Sequence, residues 1–130
     1  MADTAITRVP SGHDVSYRQT VMPSYSSGTF LADDTDYHVL VLDSRGKRFL
    51  TYGVDNPSNK DLAITLYGSP SETAGVGDAG VFLIGTSITA LAGNYIYDTT
   101  DDGFIYYIVR CKFAEVPNES TVTVYAYLMQ

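Results

Sequence analysis

From residue 37 onward, apolar and polar residues alternate with a period of two. Clusters of Gly, Pro, Asn, Asp and Ser break the alternation at short intervals, and no stretch carries a helical period. Together these observations predict an all-β chain, an antiparallel β-sandwich of jelly-roll type with about seven or eight strands and an extended N-terminal arm. An open barrel is the other architecture the pattern allows.

The arm is expected over residues 1–36. Ser, Thr, Asp and Gly dominate it, while Ile6, Val9, Val21, Met22 and Phe30 recur at no regular period. A solvated tail would be depleted in such residues. The arm is therefore expected to lie against something, with these five side chains as anchors on a neighbouring subunit.

The β domain is expected over 37–130. Tyr37 to Asp43 is dense in β-branched and aliphatic residues, Ser44-Arg45-Gly46-Lys47 makes a turn, and Arg48 to Asp55 returns as the second strand of a hairpin. Asn56-Pro57-Ser58-Asn59 is a further turn, because Pro fixes φ and the Asn and Ser side chains bond to nearby backbone. Leu62, Ile64 and Leu66 then face one way, with Ala63, Thr65 and Tyr67 opposite. Gly68 to Gly80 reads as a long loop. Val81 to Ile84 and Ser87 to Leu91 are short strands with a bulge or bend at Gly85-Thr86, and Asn94 to Tyr97 is a possible further strand. After the acidic turn Asp98 to Gly103, the run Phe104 to Phe113 puts Ile105, Tyr107, Val109, Cys111 and Phe113 on one face. The last strand, Thr121 to Met129, puts Val122, Val124, Ala126 and Leu128 inside and Tyr125 and Tyr127 outside.

With 130 residues and 45% hydrophobic content, the chain is large enough to bury a core without disulfides or structural metal. Eight cationic residues against fifteen acidic ones give a net charge of −7. That balance argues against nucleic acid and against anionic membrane surfaces, both of which attract clustered Lys and Arg. The N-terminal Met-Ala-Asp-Thr-Ala-Ile-Thr-Arg lacks the basic region and apolar stretch of a signal peptide. The expectation is a protein that stays where it is made or leaves inside something larger.

No catalytic motif is visible, and the chain is not expected to be an enzyme. Cys111 lies between Arg110 and Lys112, but alternation sends the thiol inward and both cations outward, so a buried, inert thiol is expected. His13 and His38 have no partner motif for a triad, and structural zinc needs four Cys or His ligands. Asp33-Asp34 with Asp36, and Asp98 with Asp101-Asp102, lack the spacing of a calcium loop and read as solvated turns. Gly75-Val76-Gly77-Asp78-Ala79-Gly80 echoes a dinucleotide fingerprint without the following helix that the motif needs. Asn118-Glu119-Ser120 is a glycosylation triplet with no secretory context. Arg45, Lys47 and Arg48 make a small basic turn. No cofactor or metal is expected.

The anomaly is tyrosine, with 11 Tyr, 5 Phe and no Trp. Tyr67, Tyr106, Tyr125 and Tyr127 fall on outward faces, where rings with a polar tip suit an interface. Sugar-binding modules also use exposed aromatic residues.

Tyr52-Gly53-Val54-Asp55-Asn56-Pro57, Leu62 to Ser69, and the paired terminal strands Phe104 to Phe113 and Ser120 to Leu128 resemble the decoration, or cement, proteins of tailed-bacteriophage heads. The likeness is one of pattern over most of residues 37–130. It implies a non-catalytic virion surface protein, often a homotrimer, that binds the major capsid protein and clamps neighbouring capsid subunits, with the arm and outward tyrosines making the contacts. Another virion or filament part (neck, tail or fibre) and a carbohydrate-binding β-sandwich module are the alternatives.

Overall fold

The computed structural model describes residues 3–9, 24–44 and 47–129. Among the described residues there are ten strands: β1 (Thr4–Ala5), β2 (Thr7–Val9), β3 (Ser24–Ala32), β4 (His38–Asp43), β5 (Phe49–Asp55), β6 (Leu62–Ser69), β7 (Phe82–Ala90), β8 (Tyr95–Thr100), β9 (Tyr106–Phe113) and β10 (Ser120–Met129). They form two five-stranded sheets, sheet A in the order β1-β4-β9-β6-β7 and sheet B in the order β2-β3-β10-β5-β8.

The topology is a jelly roll. The strands pair as nested partners, β6 with β7, β5 with β8, β4 with β9 and β3 with β10, each antiparallel. Successive pairs alternate between the sheets, so one long hairpin with its tip at residues 70–81 wraps into a sandwich. This arrangement corrects the hairpin expected from Tyr37 to Asp55. β4 and β5 lie in opposite sheets and do not pair.

Period-two alternation sets the core. Leu40 and Leu42 of β4, Leu62, Ile64 and Leu66 of β6, and Tyr107, Val109, Cys111 and Phe113 of β9 meet Leu50 and Val54 of β5 and Val122, Val124, Ala126 and Leu128 of β10. Cys111 is fully buried, and burial pushes its thiol up to about 12. Tyr107 is buried, and its hydroxyl accepts hydrogen bonds from the Gly103 and Phe104 backbone N–H groups. The expected break at Gly85-Thr86 is a register shift inside one continuous β7, with Gly85 at φ 64°.

The N-terminal region differs from the expected arm. β3 pairs with β10 along nine residues, so the boundary expected at residue 37 does not separate two units in the described structure. β1 adds to sheet A beside β4, and β2 adds to sheet B beside β3. Ile6, between them, donates its backbone N–H to Val39 and turns its side chain into the core. A Cβ on Gly28 would lie 2.6 Å from Ile6 Cγ2, so glycine is what lets this side chain enter. Ile6 and Phe30, expected as anchors on a neighbour, are thus part of the chain's own core. Val21, Met22 and the Val9 side chain lie outside the described residues.

Two polar clusters brace the end of the sandwich where the turn of residues 56–60 lies. Asn56 is buried, and its Nδ2 donates to the Lys60 and Ala90 carbonyls while its Oδ1 accepts from the Ser58 backbone and hydroxyl. Asn59 and Asn118 exchange backbone-to-side-chain hydrogen bonds of 3.0 and 2.8 Å, which ties the two turns together.

Candidate functional site

The four tyrosines expected on outward faces do face outward, but on opposite sides of the sandwich. Tyr67 of β6 and Tyr106 of β9 lie on sheet A, and Tyr125 and Tyr127 of β10 lie on sheet B. They build two separate surfaces.

On the outer face of sheet A, strand register puts Val41, Ile108, Tyr67 and Leu83 in one row across β4, β9, β6 and β7. The row ends at the free edge of the sheet, where Phe82 and Leu83 are 61% and 57% exposed. Beside it runs a basic row. Arg110 stacks its guanidinium 3.5 Å from the Tyr37 ring centroid and donates to Asp3 at 3.0 Å, and Lys112 Nζ sits 4.7 Å from the same ring. Burial opposes the Arg110 charge, but the hydrogen bond and charge of Asp3, together with Tyr67 and Tyr37, outweigh it and raise its pKa. A depression of about 450 Å³ lies here, lined by Thr35, Tyr37, Thr65, Arg110 and Lys112 among others.

On sheet B the outward side chains of three adjacent strands form a groove, also of about 450 Å³. Tyr95 and Tyr97 of β8 make one wall, Tyr125 and Tyr127 of β10 the other, and Thr51, Gly53 and Asp55 of β5 the floor. Gly53 lies directly opposite both Tyr97 and Tyr125. Its missing side chain makes the low point of the groove, and a Cβ there would sit 2.9 Å from the Ile96 carbonyl oxygen. Tyr95 and Tyr97 are 75% and 67% exposed. These two rings are not among the four expected on outward faces; the Tyr-Ile-Tyr alternation is the signal in the sequence that points to them.

The remaining candidates have structural roles. His38 is buried, stacks on Phe30 at 4.2 Å between ring centroids and places Nε2 3.0 Å from Asp34 Oδ1. Burial works against charge on Asp34, yet the bonds from His38 and from the Asp36 N–H hold its carboxyl below the ordinary range. Asp98 accepts from the Thr99 N–H, and Asp101 lies 3.6 Å from Arg48. No three His, Cys, Asp or Glu side chains converge as a metal site among the described residues. The Gly75 to Gly80 loop is a turn closed by Asp78, whose carboxylate accepts from the Gly75 N–H. Lys47, expected at a solvated basic tip, is buried. Arg48 is exposed, while Arg45 and His13 lie outside the described residues.

No family model matches the chain, and no curated protein sequence matches it. Solved structures do. The chain is similar to the K1 cleaved adhesin domain of Lys-gingipain from Porphyromonas gingivalis W83, at 14% identity over 96% of this chain and 83% of that one with a TM-score of 0.55. It is similar to PirA at 12% identity over 77% of this chain and 92% of that one, with a TM-score of 0.54. The SPBc2 prophage-derived protein YomS matches at 17% identity over 83% and 95% of the two chains, with a TM-score of 0.46. At these identities, the likeness to the first two establishes an all-β sandwich fold and no activity.

Proposed function

We propose that the chain is a non-catalytic structural virion protein that binds the outside of a phage capsid as a homo-oligomer, a trimer first among the options, and holds neighbouring capsid subunits together. The observation that carries this reading is the free edge of sheet A. β7 is nine residues long, its outer side is unpaired among the described residues, and it presents Phe82 and Leu83. Proteins that act alone blunt such an edge with charge, proline, a bulge or a covering loop, because it invites pairing and apolar contact; β7 carries an irregularity at Gly85, and before it Phe82 and Leu83 stay in regular register and exposed. Behind the edge the half-buried Tyr67 extends this apolar surface onto the outer face of the sheet, while Ile108, next in the row, is itself buried. Symmetric closure and docking on a lattice both cover surfaces of this kind. With Ile6 and Phe30 in the core, the contact in this reading is made by sheet A.

Co-sedimentation of the full chain with capsid shells of its phage tests the reading. Leu83→Lys introduces the charge that protects natural edges and should weaken shell binding tenfold or more, about 1.4 kcal/mol, with an unchanged melting temperature. Unimpaired binding by Leu83→Lys would remove the edge from the contact. Failure of the parent chain to bind shells would overturn the virion reading itself.

A further inference from the structure

We propose that the groove on sheet B is a binding site for a neutral pyranose chain, separate from the assembly surface on sheet A. Its width supports this first. The two tyrosine walls stand on β8 and β10, two strand spacings apart across β5, or about 9.5 Å. A saturated ring held between two aromatic faces needs two van der Waals contacts, about 7–8 Å from ring to ring. One sugar ring therefore fits over Gly53, where the floor has no side chain.

The chemistry of the lining supports it second. Tyrosine rings offer apolar faces to the C–H faces of a pyranose, and the hydroxyls of tyrosine and Thr51 and the Asp55 carboxylate surround the slot with oxygens that meet the hydroxyl rim of a sugar. Among the described residues no cation lines the groove, and Asp55 repels phosphate or uronate groups. An extended peptide is captured by main-chain hydrogen bonds at a free sheet edge. The floor strand β5 offers none, because it is paired on both sides. From Thr51 to Asp55 the floor runs about 13 Å, longer than a single ring, so the groove suits an internal stretch of a polysaccharide.

Native gel electrophoresis through soluble neutral polysaccharides (mixed-linkage β-glucan, xylan, glucomannan and dextran in separate gels), followed by calorimetry with the matching oligosaccharide, tests the site in the full chain. At least one neutral polysaccharide should retard the parent. Tyr97→Ala and Tyr95→Ala, both at well-exposed positions, should each weaken binding tenfold or more without lowering the melting temperature, and Leu83→Lys should bind sugar as the parent does. Retardation by none of the four, retardation that survives both tyrosine substitutions, or binding only to acidic polysaccharides would each overturn the assignment. Because the capsid contact is placed on the other sheet, Tyr97→Ala should still pellet with shells, so either proposal can fail without the other.

Discussion

The two flanks of the sandwich are finished in opposite ways. On one flank the sheet edges are β1 and β2, strands of two and three residues, and Ile6 between them plugs the core over Gly28. On the other flank the edges are β7 and β8, of nine and six residues, and they present Phe82, Leu83, Tyr95 and Tyr97 to solvent. Very short edge strands are a standard device against unwanted pairing. Among the described residues the first flank is guarded against pairing, and in the proposed reading the second is the one open to partners. That contrast assigns the first flank to stability and the second to contact, and substitutions on each should separate the two properties.

The largest stability loss should come from the closed flank. Ile6→Ala empties a buried site next to a glycine that cannot fill it, and should cost about 2–5 kcal/mol, read as a lower midpoint in denaturant at constant slope. A loss under about 1 kcal/mol would mean that the strap of residues 3–9 is a surface decoration. Next comes Asn56, the brace on the open flank, whose removal takes a donor from the Ala90 carbonyl and the acceptor from the Ser58 N–H, while Ser58 Oγ still donates to the Lys60 carbonyl. Asn56→Ala should cost about 1–3 kcal/mol and should raise hydrogen exchange first in the turn of residues 56–60 and at the end of β7 around Ala90. Uniform loss of protection would contradict its role as a local brace.

Smaller again is the acid response of the His38–Asp34 pair near the closed flank. Asp34 is held below the ordinary carboxylate value of 3.8 by His38 and the Asp36 N–H, against the opposing effect of burial. Its contribution to stability is present above that value and is lost as the pH falls through the lower folded one. Melting temperatures from about pH 5 to about pH 3 should fall less steeply in Asp34→Asn than in the parent, and equal slopes would remove the pair from the acid response. The smallest expected stability effect is that of Leu83→Lys on the open flank, within about 0.5 kcal/mol. A larger loss would make Leu83 part of the fold, and its exposure would then carry no argument about contact.

The strands of the core were legible because β9 and β10 alternate without interruption from Val109 to Phe113 and from Val122 to Leu128. β3 was hidden because its inward positions include Gly28, whose missing side chain is replaced by Ile6 from a segment 22 positions earlier. No window on one strand contains that exchange. Pairing was illegible for a related reason, since β4 alternates in the same way whether β5 lies beside it or across the core. The tyrosine groove depends on register among residues 53, 97 and 125. Exposure of each ring follows from its own strand, but their assembly around a glycine follows only from the jelly-roll order.

The contrast between the flanks is tested most directly by hydrogen–deuterium exchange on the full chain, free and bound to capsid shells. Binding should slow exchange at the outward-pointing amides of β7 and leave β1, β2 and the Ile6 N–H unchanged. Protection that appears at β1 and β2 while β7 exchanges as before would contradict the account and make the N-terminal flank the contact surface.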